Sequence, residues 1–275
     1  MVHENNNEII QFLYKYRIIN EYFFDSLENH YLYFSSPQKF NDPFDCKLFL
    51  TWEGEPEEVD KWIIKFMKEK ATPLLKYFKK IDYDPVIISQ FKEPIDQELQ
   101  NTLILSLSEV NDSILMWSHY AEDHKGLCLG FRTCIENSVL GIMFEEDCLK
   151  IPVPNVPKGF LRAQSINYSV DMPPPFNPLR DDISAVFKFI FSKHTNWSYE
   201  RERRIVLSTG IATSPKLKFR KNTLNQIIFG MRTPDDIKEK IKDLIRRKYS
   251  NNEHSINFFQ AIPVEGKYKL EIRRL

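Results

Sequence analysis

Residues 102–131 read TLILSLSEVNDSILMWSHYAEDHKGLCLGF, and the order of elements in this stretch sets the fold class. Thr102–Ser108 is a short run of strand-favouring residues. Asn111 or Asp112 can cap a helix over Ser113–Glu122, and Gly126 stops it. Leu127–Phe131 then reads as a buried strand.

The same mixture continues outward. On the N-terminal side, Phe12–Tyr16 alternates aromatic and other residues as a strand does, Glu21–Leu27 is a short helical candidate, and Tyr31–Ser35 is rich in aromatic residues. Pro37 and the tight loop Asn41–Asp42–Pro43 end that strand. From 55 to 100 the pattern is helical. Val59, Trp62, Ile63, Phe66 and Met67 recur at spacings of three and four, and Leu74, Leu75 and Phe78 continue the face after Pro73. This segment is expected to be a helical insertion or lid, or else plain core.

On the C-terminal side, 151–180 is Pro-rich loop around a strand at Ile166–Val170. Asp182–Lys193 has an amphipathic helix pattern, with Ile183, Val186, Phe187, Ile190 and Phe191 on one face. Glu200–Ser208 and Gln226–Gly230 read as strands. After Thr233 as cap and Pro234 at the first position, Asp235 and Asp236 begin a helix that Arg246, Arg247 and Lys248 end, a charge order that complements the helix dipole. Ser255–Ile262 and Tyr268–Arg274 form a hairpin through Gly266. Helices and strands are interspersed without regular βαβ alternation. The expectation is therefore a single α+β domain over 1–275, with a mixed, largely antiparallel sheet.

Bulk properties exclude several classes. The chain has 275 residues, enough for a packed core. Its 38 Lys and Arg balance 38 Asp and Glu, so no global field draws it to nucleic acid or an anionic membrane. Only 8 glycines occur, and neither GxGxxG nor GxxxxGK[ST] is present. Cys46, Cys128, Cys134 and Cys148 form no CxxC pair, which speaks for buried thiols in a reducing compartment rather than zinc. The N-terminus lacks the pattern of a signal peptide, and no run of about 18 apolar residues occurs. A cytoplasmic protein without membrane partners is expected.

Three segments could carry chemistry. In Phe40–Asp45, Asn41, Asp42 and Asp45 offer oxygens beside a fixed Pro turn, and the plain reading is an Asx-turn. In Met116–Tyr120, Trp117, His119 and Tyr120 could stack on a planar ring or donate hydrogen bonds, and the plain reading is a core helix with one satisfied histidine. In Trp197–Arg204, a strand would put Glu200, Glu202 and Arg204 on one face, with the two carboxylates roughly 6–7 Å apart. One of them would then have a raised pKa while Arg204 holds the other ionised. The plain reading is a surface ladder of ion pairs.

These motifs together resemble a bacterial family catalogued as a domain of unknown function. The matching pieces are Tyr14–Arg17, Phe34–Asp45 (FSSPQKFNDPFD), Ser106–Ser108, Met116–Phe131 and Trp197–Arg204 (WSYERERR). A weaker resemblance is to the ADP-ribosyltransferase fold, in the order Arg on a first strand, Ser on a second and ExE on a later one. That resemblance implies NAD as cosubstrate and a macromolecular acceptor or water. It also implies Arg17 on the NAD phosphates, Ser35 or Ser36 bracing the ribose, and Glu202 bonding the ribose 2′-OH and stabilising an oxocarbenium-like transition state. Glu200 would orient the acceptor, and Tyr120 or Trp117 would stack on a base. The sequence departs from that family in the short interval from Arg17 to Ser35, in the insertion 45–100, and in MWSHY and FNDPFD, which match none of its motifs. The resemblance also implies a role in bacterial defence or as a toxin. Two competing readings stand beside it. One is a metal-dependent nuclease or phosphohydrolase built on Asp42, Asp45, Glu200, Glu202 and His119. The other is a non-catalytic module that binds a nucleotide or a partner.

Overall fold

A computed structural model of the chain describes residues 10–51, 101–249 and 255–275, with 53–55, 57, 58, 61, 62 and 99 between them. The periodic residues of the expected helical insertion, Trp62 excepted, lie outside the described residues.

The chain starts on the strand β1 (Phe12–Arg17), the helix α1 (Glu21–Glu28) and the strand β2 (Tyr31–Tyr33). Asn20 caps α1 by accepting from the Phe23 amide at 2.9 Å. The decisive stretch folds into β3 (Thr102–Ser108), α2 (Ile114–Tyr120) and β4 (Leu127–Arg132). Helix α2 is shorter than the sequence suggests at both ends. Its cap is Ser113, whose hydroxyl accepts from the Met116 amide, while the Asn111 carbonyl takes the Trp117 indole N–H at 2.8 Å. It stops at Tyr120 because Glu122, Asp123 and His124 all turn left-handed, with φ of 49°, 51° and 68°. Gly126 follows because a Cβ there would lie 2.2 Å from the Arg17 carbonyl oxygen.

Three short strands, β5 (Cys134–Glu136), β6 (Val139–Met143) and β7 (Phe160–Arg162), form an antiparallel sheet of their own. Strands β8 (Gln164–Ser165) and β9 (Asn167–Ser169) follow. The expected helix over 182–193 is a correction. The segment breaks into a 3-10 turn (Ile183–Val186), a single α-helical turn α3 (Phe187–Ile190) and the strand β10 (Ser192–His194). Its end is drawn out of helical form by parallel pairing of β10 with β9. Next come β11 (Glu202–Ser208), β12 (Lys216–Lys218) and β13 (Leu224–Phe229). The helix α4 (Asp235–Lys248) and the antiparallel pair β14 (Asn257–Pro263) and β15 (Leu270–Arg274) close the chain. At the start of α4 the cap position is Pro234, not Thr233, whose buried hydroxyl is taken by the Gly126 carbonyl at 2.7 Å.

The main sheet has eight strands in the order β15-β14-β13-β4-β1-β3-β11-β8. Only β13 and β14 run parallel within it, joined through α4. The fold is thus α+β, with a mixed and largely antiparallel sheet. One face is a continuous apolar layer. Leu13, Leu105, Leu129, Ile205 and Ile227 pack there against Phe23 and Leu27 of α1 and Ile241, Leu244 and Ile245 of α4.

The other face is divided. Tyr16, Trp117, Cys128, Ile228 and Ala261 form one cluster, and Ile104, Phe176, Phe189 and Ile190 form another. The sheet itself parts along the same line. β1 pairs with β4 at six positions but with β3 only at Tyr14↔Ser108. Further along, the free edge of β3 is met by Ser35, bridged to Ile104. Between these two points the Ser106 carbonyl has the Lys15 ammonium at 2.8 Å. Polar side chains occupy the seam between the two clusters.

Among the described residues no helix is long and apolar enough to cross a membrane.

Candidate functional site

Residues opposite one another in an antiparallel ladder point to the same face. The register Glu202↔Ser108 and Arg204↔Ser106 therefore sets these four side chains on the divided face, above the seam. Glu200 arrives by a different route from the one its sequence suggests. It is the last residue of a 3-10 turn, Thr195–Glu200, and not part of the strand. Arg201 follows in a left-handed conformation (φ 42°, ψ 53°), so that the chain turns between the two glutamates. The Ser108 hydroxyl, donating to the Glu200 carbonyl at 2.6 Å, ties this turn to the end of β3.

Lys193, from β10, joins three carboxylates. Its Nζ lies 2.6 Å from Glu200, 3.2 Å from Glu202 and 3.5 Å from Asp45. Arg204 is 1% exposed and makes two forked pairs. Nε and Nη2 reach the two oxygens of Glu202 at 2.7 and 3.0 Å, and Nη1 and Nη2 reach those of Asp45 at 2.8 and 2.5 Å. Nη1 also donates to the Ile190 carbonyl at 2.6 Å and to the Cys46 sulfur at 3.2 Å. The flat guanidinium suits such a double fork, and a lysine could not replace it. Aromatic rings cover both cations, Trp197 at 4.9 Å from Lys193 Nζ and Phe40 at 5.3 Å from the Arg204 guanidinium carbon.

Asp45 comes from the FNDPFD loop. Asp42 makes the Asx-turn there, its carboxylate accepting from the Phe44 amide at 2.9 Å, and the turn closes from the Asp45 amide to the Asp42 carbonyl at 3.1 Å. The loop thereby holds Asp42 in a structural bond and sends Asp45 inward.

The two glutamates are driven apart in acidity. Burial raises the Glu200 carboxyl above its ordinary range, with Lys193 pulling it down and Glu202 pushing it up. Burial also acts upward on Glu202, but Arg204, Lys193 and a hydrogen bond from Ser106 outweigh it and bring the group down to about 2. Burial works against the charge on Lys193, yet the three carboxylates hold its pKa above the ordinary lysine value. Lys15 goes the other way. Burial and the charge of Arg17 lower it to about 8 despite both glutamates nearby. The Tyr120 hydroxyl donates to Glu200 at 2.5 Å, and burial and the carboxylate raise its own pKa.

These groups face a cleft of about 350 Å³, within the range of small-ligand sites. Lys15, Ser106, Ser108, Glu200 and Glu202 line it, together with Tyr14, Phe40, Met116 and Tyr120. His119 is exposed at its edge, its ring 6.1 Å from that of Tyr199. Asn41 also lines the cleft.

The other candidates lie elsewhere. Arg17 ends β1 opposite Leu127, and burial lowers its pKa. The Ser35 hydroxyl donates to the Ser36 carbonyl, and Ser36 precedes the 3-10 turn Pro37–Lys39. None of these three lines the cleft. Trp117 is fully buried beneath it, edge-on to Tyr16 at 5.2 Å.

The sequence singles out neither Lys193 nor Lys15 as a site residue. Lys193 follows the apolar run Phe189–Phe191 and looks like the solvated end of a helix, and Lys15 alternates with tyrosines as a surface residue would. Their one signal is a lone lysine beside buried apolar positions.

A family model described as "Protein of unknown function (DUF2971)" matches residues 116–205. The matched stretch takes in Tyr120, Lys193, Glu200, Glu202 and Arg204, and leaves Lys15 and Asp45 outside. No curated protein and no solved structure matches the chain.

Proposed function

We propose that the cleft binds NAD and cleaves its nicotinamide–ribose bond, passing the ADP-ribosyl group to water or to a macromolecular acceptor. The observation that carries this reading is the pair Glu200 and Glu202, held by one lysine, facing one cleft and shifted in opposite directions. Breaking an N-glycosidic bond builds positive charge on the sugar. A carboxylate that stays ionised and is fixed beforehand by Arg204 stabilises that charge without reorganising. A carboxyl with a raised pKa is suited to take the proton of the incoming water or hydroxyl. Glu202 fits the first role and Glu200 the second. Lys15 stands two residues before Arg17 on the same strand and, unlike Arg17, lines the cleft. It adds a cation to the cleft that Lys39 also lines, and Tyr120 and His119 offer ring surface to the nicotinamide.

The metal-dependent alternative finds one supporting observation, the convergence of Asp45, Glu200 and Glu202. The place where those oxygens meet is taken by Lys193, with Arg204 on its flank.

Nicotinamide release from NAD by the purified protein, with and without lysate and EDTA, tests the proposal. Release that persists in EDTA and falls at least a hundred-fold in Glu200→Gln and Glu202→Gln, with folding checked by melting, is the expected result. Absence of release under every condition, or release abolished by EDTA, sinks it.

A further inference from the structure

A second cavity, of about 540 Å³, lies beside the cleft. The two share Asn41, Asp45 and Lys193 in their walls and adjoin there, as a smaller and a larger lobe. Glu200 and Glu202 line the smaller lobe and are absent from the larger. The larger lobe has a different character. Trp197, Phe44 and Met172 line it, and Phe44 is 61% exposed, a large apolar ring left in solvent. Asn196 and Asp171 add an amide and a carboxylate beside the rings.

We propose that the larger lobe is a purine subsite, which takes the adenine of a dinucleotide whose nicotinamide end lies beside Glu200. This inference rests on the NAD reading above and extends it. The reacting bond must lie in the lobe that holds the two glutamates, so the remote half of the ligand extends into the adjoining space. A purine is a flat ring whose faces stack on indole and phenyl surfaces, and its amino group donates to amide or carboxylate oxygens. Trp197 and Phe44 supply the surfaces. Asn41, Asn196 and Asp171 supply the oxygens. Lys39 lines the smaller lobe and Lys47 the larger, so each lobe carries a cation for the pyrophosphate between them.

The test is calorimetric titration of the full chain with AMP and, separately, with nicotinamide mononucleotide. Wild type binds both. Trp197→Ala and Phe44→Ala each weaken AMP at least ten-fold, Phe44→Ala leaves nicotinamide mononucleotide within two-fold, and Trp197→Phe keeps AMP binding. Because Phe44 is exposed, its variant retains the fold whatever Trp197→Ala does. Unchanged AMP affinity in Trp197→Ala and Phe44→Ala overturns the subsite, as does failure of wild type to bind AMP. The two proposals can fail separately. AMP binding with this pattern but no nicotinamide release keeps the subsite and removes the reaction. NAD cleavage whose KM ignores both substitutions removes the subsite alone.

Discussion

Arg204 is the residue on which the site's internal balance turns. Asp45 and Glu202 are both buried and both forked to it. Taking away one partner of a buried ion pair leaves an uncompensated charge, with a penalty of about 3–5 kcal/mol. Arg204→Met should lower unfolding free energy in urea by about that amount. Arg204→Lys should recover only a small part, because an ammonium cannot span two forks. Equal stability of wild type and Arg204→Met would show that Asp45 and Glu202 are not held as described. Glu202 leads to a pH prediction. Its folded pKa, about 2, lies below its ordinary value, so its contribution is present above pH 4.5 and is lost as pH falls toward 2. Glu200 works in the opposite sense. Its raised folded pKa favours the native state at low pH, and that contribution fades as pH rises past the folded value. Acid unfolding of Glu202→Gln should therefore lose part of the steep limb between pH 4.5 and 2 that wild type shows. Superimposable limbs would contradict the assignment.

At the scale of elements, the turn into β11 decides how two glutamates meet on one lysine. Arg201 is non-glycine and left-handed, which costs about 1–2 kcal/mol. Its side chain pairs with Glu109 at 3.0 Å but is 59% exposed, so the pair returns little. Arg201→Gly should be neutral or stabilising within about 1 kcal/mol, and Arg201→Val should destabilise by about 1–2 kcal/mol. Chemical denaturation of the two variants checks this, and a reversed order would mean that the turn relaxes without penalty.

The sequence made some elements plain and hid others. TLILSLS is a strand with the bounds its residues suggest, because the residues directly flanking it, Asn101 and Glu109, are polar. The alternation in 202–208 put Glu202 and Arg204 on one face, as the ladder does. Segment 182–193 misled because its apolar spacing fits a helix, whereas its last residues complete a two-stranded pair with a distant loop. Lys193 was hidden with it, since only that pairing aims it inward. Strands β5–β7 were missed because each is three to five residues long and is held by its partners rather than by its own composition.

Across the whole molecule, the smaller lobe lies on the line where the sheet parts and the second-face core divides. A ligand in that line touches both halves at once and belongs to the folded state alone. ADP-ribose at a hundred times its Kd should therefore add about 2.7 kcal/mol to the folding free energy and raise the melting temperature. A melting curve unmoved by ADP-ribose at millimolar concentration would count against a nucleotide in the cleft.

The cleft also has an order of assembly. Arg204 and Asp45 are 159 positions apart, Tyr120 and Glu200 80, and Lys15 and Ser106 91. A chain made from its N-terminus presents Asp45 long before either of the cations that hold it exists. Contacts of such separation form late, after local turns and helices. Maturation of the site thus awaits the emergence of residue 204, and a nascent or truncated chain that stops short of it lacks the guanidinium that fixes Asp45 and Glu202.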